Sequence, residues 1–123
     1  MFDTILFPID RSRQAAETAT TALQLAQQHN SLLVLLSVVE PGDDAAAIAQ
    51  MLNTARASFE QAGIRCDVIE REGKPAFVIG DVADEINADV IVMGTRGIAL
   101  ESDPQSTAAR VIQLAPCPVL VVP

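Results

Sequence analysis

Two short polar segments of the chain have the residue types of an anion-binding site. One is Asp10-Arg11-Ser12-Arg13, and the other is Gly94-Thr95-Arg96-Gly97; each follows an apolar run. Arginine forms strong charge-assisted hydrogen bonds with phosphate and carboxylate groups, and the backbone N–H groups at a helix start attract the same ligands. The alternative is that these arginines only neutralise Asp10, Glu101 and Asp103 in solvated loops.

The amino-acid composition argues against nucleic acid and membranes as binding partners. The 123 residues carry a formal net charge of −8 and include no Trp or Tyr, so nucleic acid is not an expected partner. No apolar run approaches the ~20 residues that cross a bilayer, and the first residues, MFDTILFPID, lack the bases of a secretory signal. We therefore expect a cytoplasmic protein that does not enter membranes. Cys66, Cys117 and the single His29 do not have the spacing of a metal site.

Apolar runs typical of buried strands alternate with segments of helical period. Strands are predicted at Thr4–Ile9, Leu32–Val39, Ile64–Ile69, Val90–Met93 and Val119–Val122. Four helices fill the connections, with apolar stripes such as Ile48, Leu52, Ala55 and Phe59. The expected helix-end residues are Ser12, Asp43, Pro75 and Asp103-Pro104 at the four starts and Gly63 after the second helix.

This alternation predicts one domain over residues 1–123, a five-stranded parallel doubly wound α/β sheet with helices on both faces. Strand order 3-2-1-4-5 is the natural solution. It opens a crevice between strands 1 and 4, where both polar segments begin. The fifth strand, Val119–Val122, would be an edge without any charged residue. Because exposed apolar edges invite pairing, we expect a homodimer through this strand.

Four stretches, ILFPID, LLVLLSVVEP, EGKPAFVIGDVADEINADVIVMGTRG and APCPVLVVP, resemble the universal stress protein family in order and spacing along nearly the whole chain. The resemblance implies a cytoplasmic, usually dimeric stress-response protein with a Rossmann-like, adenine nucleotide alpha hydrolase-like sheet. Some members bind ATP and others do not. Matching positions imply a candidate nucleotide or anion site, with adenine near Asp10 and Val38 and with ribose and phosphate near Met93, Gly94 and Gly97. Arg96 joins this candidate site because it lies in the same loop as the two glycines.

The second half of the family's phosphate loop, G-x-x-G-x9-G-[S/T], is altered in this chain. Counting forward from Gly97 places Thr107-Ala108 at the last two positions, whereas counting back from APCPVLVV places Gln105-Ser106 there. Either alignment removes the second glycine and leaves one hydroxyl, that of Ser106 or Thr107. Asp103, as a helix cap, would accept hydrogen bonds from the N–H groups that a phosphate needs, and its charge repels the ligand.

Two functions follow from these residues, in order of preference. The first is a non-enzymatic, dimeric stress-response module that has lost tight ATP binding and acts through its surface or a smaller anion such as AMP. The alternative is an adenine-nucleotide switch that binds ATP or AMP in the crevice between strands 1 and 4, with Arg11 and Arg96 compensating for the missing glycine and slow ATP hydrolysis as an option. No nucleophile is matched with a base, so no catalytic residue is assigned.

Overall fold

The computed structural model describes residues 2–9, 14–94 and 107–123. The chain alternates strands and helices in the order β1 (Thr4–Pro8), α1 (Gln14–His29), β2 (Leu32–Val39), α2 (Ala45–Gln61), β3 (Arg65–Glu72), α3 (Pro75–Glu85), β4 (Val90–Gly94), α4 (Thr107–Leu114) and β5 (Val119–Val122). The strands form one parallel sheet in the order β3-β2-β1-β4-β5. The strand order predicted from the sequence is confirmed.

Each face of the sheet is covered by its own pair of helices. Alternate residues of the central strands, such as Phe7 and Val92, pack with α1 and α2 in one apolar cluster. Their neighbours, such as Leu6 and Met93, pack with α3 and α4 in a second cluster. Because β1 and β4 bury both faces, their sequences are apolar at consecutive positions. No helix in the described part of the chain is long and apolar enough to cross a membrane.

The strand bounds differ from the prediction mainly at the edge of the sheet. β3 runs from Arg65 to Glu72 rather than from Ile64 to Ile69. Its last residues, Glu70, Arg71 and Glu72, are exposed, yet they stay in register with β2 as far as the pair Val39 and Glu72. A search for apolar runs stops too early here, because backbone pairing continues through solvated side chains. β1 ends at Pro8 rather than Ile9, and β4 extends to Gly94.

Helix ends follow the predicted chemistry, with one correction. The N-cap of α2 is Asp44 and not Asp43, since the Asp44 carboxylate accepts hydrogen bonds from the N–H groups of Ala46 and Ala47 at 3.1 and 3.2 Å. The Asp43 carboxylate instead accepts a 2.7 Å hydrogen bond from the Glu40 N–H, so it closes the preceding turn. The acid nearer the first helical residue has the reach to cap it.

Two other predicted ends are confirmed. Pro75 occupies the first turn of α3, and Gly63 follows α2 with a φ of +85°, a conformation that glycine adopts without strain. The predicted caps Ser12 and Asp103-Pro104 lie outside the described residues. α4 is described from Thr107 onward.

Candidate functional site

The crevice at the carboxyl ends of β1 and β4, called here the β1/β4 crevice, arises from the way the chain leaves these two neighbouring strands. β1 leads into α1 on one face of the sheet, whereas β4 leads toward α4 on the other. The strands are in register, with Leu6 level with Ile91. The Ile9 N–H still donates to the Leu36 carbonyl at 2.8 Å, so the chain stays paired with β2 as far as residue 9. Diverging connections of this kind leave room for a ligand.

The structure describes four of the residues that the sequence places at this site, Val38, Met93, Gly94 and Thr107. All four lie at strand or helix ends that border the crevice: Val38 near the end of β2, Met93 and Gly94 at the end of β4, and Thr107 at the start of α4. Asp10, Arg96, Gly97 and Ser106 lie outside the described residues, as do Arg11, Arg13 and Asp103. Their assignment to the site stays a prediction.

Val38 turns its backbone toward the crevice. The Leu36 carbonyl accepts a hydrogen bond from the Ile9 N–H on the side of β1. The Val39 carbonyl accepts a 3.3 Å hydrogen bond from the Gly73 N–H on the side of β3. Successive residues of a strand direct their backbone polar groups to opposite edges, so Val38 faces β1, as Leu36 does. β1 makes its last register pair at Leu36, two residues earlier. The Val38 N–H and carbonyl therefore border the crevice beyond the end of β1.

Met93 cannot offer its side chain to a ligand in this fold. The side chain is fully buried and packs in the cluster beneath α3 and α4. Only its backbone lies at the crevice, so a ligand contact at this position would be a main-chain contact.

Packing explains why residue 94 is a glycine. A Cβ built at this position would lie 2.8 Å from the Thr18 Oγ1 and 3.8 Å from the Val122 carbonyl oxygen. A separation of 2.8 Å is too short for a carbon atom beside a buried side chain, so a larger residue would require the Thr18 side chain or the backbone around it to shift. The glycine is thus explained by the contact between α1 and β4, whether or not a ligand is bound.

Thr18 was missed by the sequence reasoning, although a signal was present. Its side chain is 2% exposed, which makes it one of three buried polar residues in the described part of the chain. It lies four residues before Ala22 and eight before Ala26, both fully buried on α1. This spacing puts its hydroxyl on the buried face of the helix.

Thr107 is the first residue of α4 and is half-buried. The first N–H groups of a helix have no partner within the helix, and they favour an anion or a side-chain oxygen. Of the two alignments that the sequence leaves open, the one that uses Thr107 assigns the remaining hydroxyl to the first described residue of α4.

Three described arginines on or beside β3 have partners within the described part of the chain. Arg71 pairs with Glu85 at 2.7 Å, Arg56 with Glu60 at 3.5 Å, and Arg65 donates to the Asn30 carbonyl. The three arginines that the sequence places beside the crevice, Arg11, Arg13 and Arg96, lie outside the described residues.

The family model described as "Universal stress protein family" matches residues 1–123. The chain belongs to the universal stress protein family. A universal stress protein of Synechocystis sp. is 52% identical to it over 136 aligned residues, which cover 100% of this chain and 87% of the relative.

Solved structures of universal stress proteins share the fold. One, a complex with cAMP, has a TM-score of 0.84 at 23% identity and covers 98% of this chain and 97% of its own. Another, from Archaeoglobus fulgidus in complex with dAMP, has a TM-score of 0.80 at 22% identity and covers 100% of both chains. At this level of identity the likeness establishes the architecture. It confirms the Rossmann-like sheet predicted from the sequence.

Proposed function

We propose that this universal stress protein is a non-enzymatic, cytoplasmic regulatory module that holds an adenine nucleotide with a single phosphate group in the β1/β4 crevice and binds ATP weakly. The observation that carries the proposal is the divergence of the chain at the ends of β1 and β4, with the backbone of Val38 bordering the space between them. In open α/β sheets this is where ligands bind.

The contents of the crevice favour a ligand of low charge. Val38 provides a backbone donor and acceptor suited to the edge of a base, and the described part of α4 begins with the hydroxyl residue Thr107. The two similar structures described above are complexes with cAMP and dAMP, each of which carries one phosphate group. A single phosphate needs fewer of the bare backbone contacts that the altered loop has lost.

The sequence supplies the argument against ATP. Glu101 and Asp103 stand in the segment that would surround the phosphates, and the second glycine of the family pattern is absent. One unit charge about 4 Å from a phosphate oxygen costs roughly 1 kcal/mol in water and about 4 kcal/mol at an effective dielectric of 20. About 1.4 kcal/mol is a tenfold change in affinity, so a single acid beside the β- or γ-phosphate, which AMP lacks, is enough to favour AMP over ATP.

Calorimetric titration of the purified chain with AMP and with ATP tests the proposal. We expect AMP to bind at least about tenfold more tightly than ATP. The double change Asp103→Gly and Gln105→Gly should raise ATP affinity, because it removes a repulsive charge and restores bare backbone. Asp81→Asn is the matched control, since it removes one negative charge from the exposed side of α3 and should leave ATP affinity unchanged.

Each result of this titration has a clear meaning. Tight ATP binding by the unmodified chain would favour the alternative, an ATP-dependent switch in which Arg11 and Arg96 hold the phosphates. Absence of binding to both nucleotides would contradict the nucleotide function itself. An unchanged ATP affinity in the double variant would contradict the repulsion by Asp103.

We also propose that the protein acts as a homodimer joined through β5. In the described part of the chain this strand pairs only with β4, and its four residues carry no charge. The Leu120 side chain is 40% exposed, and Ile112 on the adjacent α4 is 55% exposed. Pairing with the same strand of a second copy would satisfy the backbone edge and cover these side chains.

A further inference from the structure

A second cavity, called here the β3 groove, begins at the amino ends of the strands, away from the β1/β4 crevice. Its volume is about 330 Å³. Thr4 and Leu32, the first residues of β1 and β2, line its inner end. Asp67 and Ile69 of the edge strand β3 line its outer part. Because ligand sites in proteins have volumes of about 300 to 1,000 Å³, the β3 groove suits a small molecule.

The floor of the β3 groove is apolar, and α3 covers it incompletely. Val34 of β2 is 3% exposed, whereas Asp67, its register partner on β3, is exposed. The other apolar lining residues, Leu32, Ile69 and Ile86, are half-buried and pack against the same cluster as Val34. Half-buried apolar side chains gain stability when an apolar group displaces the remaining water from them. The floor therefore favours a ligand with a small apolar group.

Two side chains of opposite charge line the outer part of the groove. One is Asp67, and the other is Arg56 of α2. Since α2 packs on the other face of the sheet, the Arg56 side chain reaches the groove past the edge strand β3. Within the described part of the chain, Arg56 and Asp67 do not pair with each other, and the Asp67 carboxylate has no partner. The groove thus presents a cation and an anion that are both open to a ligand.

Arg56 also has an unmet hydrogen-bond donor. Its Nε is shielded from water and forms no hydrogen bond within the described part of the chain, although the Glu60 carboxylate lies 3.5 Å away. Buried polar groups in native proteins nearly always have a hydrogen-bond partner. A carboxylate is the acceptor that best matches the planar guanidinium group. A carboxylate brought by a ligand would therefore complete the contacts of this arginine.

We propose that the β3 groove binds a small zwitterion with an apolar side chain, which is the chemistry of an apolar α-amino acid. Arg56 holds the carboxylate, Asp67 holds the ammonium group, and the apolar side chain lies over Val34 and Ile69. A ligand without net charge also suits a chain of net charge −8, which repels free anions. The groove shares no residue with the predicted nucleotide site, so this binding does not depend on the proposed function.

L-Leucine is the probe, titrated into the isotope-labelled full chain and followed by NMR chemical shifts of the backbone amides. We expect saturable shifts at Leu32, Asp67 and Ile69. Isoamylamine has the same apolar group and the ammonium group but no carboxylate, and isocaproate has the carboxylate but no ammonium group. Each should bind at least about tenfold more weakly than leucine, because one of the two charged contacts is lost.

Two variants test the charged side chains. Asp67→Asn and Arg56→Gln should each weaken leucine binding about tenfold. Glu70→Gln and Lys74→Gln are the matched controls, since each removes one exposed charge of the same sign from a residue that does not line the groove. Both controls should bind leucine like the unmodified chain. Thermal unfolding of all four variants checks that they remain folded.

The outcomes separate the zwitterion from other ligands. Isoamylamine that binds as tightly as leucine would show that the groove selects a cation, and it would overturn the role of Arg56. Isocaproate that binds as tightly as leucine would overturn the role of Asp67. If leucine gives no saturable shifts, or if neither Asp67→Asn nor Arg56→Gln lowers its affinity, the proposed site is wrong.

Discussion

The backbone conformation and the packing against the first turn of α3 both explain why residue 73 is a glycine. Its φ is +140°, and a Cβ there would lie 2.7 Å from the Val78 Cγ2. Its N–H also donates to the Val39 carbonyl, which ties the end of β3 to β2. Together with Pro75 at the start of α3, this explains the Gly73-Lys74-Pro75 motif by packing. Gly94 is explained in the same way by Thr18, so two glycines that carry the family resemblance have structural reasons.

Cys66 gives a prediction for the dependence of stability on pH. Burial in the cluster beneath α2, and then the nearby Glu60 carboxylate, raise the pKa of the Cys66 thiol from 9.0 to about 11. Below pH 9 the thiol is protonated in both the folded and the unfolded chain, and its contribution to stability is fully present. Between pH 9 and 11 the unfolded chain releases its proton first, so stability falls by an amount on the order of 2 kcal/mol.

Urea unfolding at a series of pH values from 8 to 11 measures this loss. Few other groups interfere, because the chain has no Tyr and Lys74 is its one lysine. Cys66→Ala should be less stable at pH 8 but should lose less stability between pH 9 and 11. Cys117→Ala, the control, removes a half-buried thiol and should keep most of the pH dependence. An equally steep fall in Cys66→Ala would show that another group causes it.

At the scale of the elements, the start of α2 supplies a paired test of capping. Asp44→Ala should lower the free energy of unfolding by about 1 kcal/mol, because two N–H groups at the helix start lose their acceptor. Asp43→Ala removes the same charge one residue earlier and should cost about 0.5 kcal/mol or less, since it loses a single exposed turn contact. Chemical denaturation of both variants measures the difference. A larger loss for Asp43→Ala would contradict the assignment of the cap.

The elements also show what sequence patterns can and cannot predict. The buried strands β1, β2 and β4 were predicted to within a residue at each end, because strands buried on both faces need consecutive apolar side chains. The last three residues of β3 were missed since their side chains are solvated and only backbone pairing defines them. Local chemistry predicted an acidic cap for α2, but it did not distinguish Asp43 from Asp44.

The crevice between β1 and β4 could be predicted from the strand order, but its packing could not. The family resemblance, and not the strand order, assigned Val38, Met93 and Gly94 to this crevice, and their role in binding stays a prediction. The burial of the Met93 side chain could have been read from the alternation of β4, in which every second residue faces α3 and α4. The contact of Thr18 with Gly94 joins residues 76 positions apart in the chain, and only the crossing of α1 over β4 brings them together.

At the scale of the whole molecule, the two edges of the sheet have opposite character. β3 exposes charged side chains along its length, including Arg65, Asp67 and Glu70, and Arg71 pairs with Glu85 of α3. Charged residues on an edge strand discourage pairing with another chain. β5 carries no charged side chain, so an assembly of two copies would form at β5 and leave β3 in solvent.

Leu120→Lys tests this assembly. A two-fold axis across β5 would bring the new ammonium groups of both copies into the same interface. Each ammonium group would lose its hydration there and would be repelled by the ammonium group of the other copy. We expect sedimentation equilibrium to give twice the chain mass of 13.0 kDa for the unmodified protein and the mass of a single chain for the variant. Phe77→Lys is the control, because Phe77 on α3 is 51% exposed but lies on a different element. It should remain dimeric. Equal masses for the unmodified chain and Leu120→Lys would rule out an interface that depends on β5, and a monomeric Phe77→Lys would move the interface to α3.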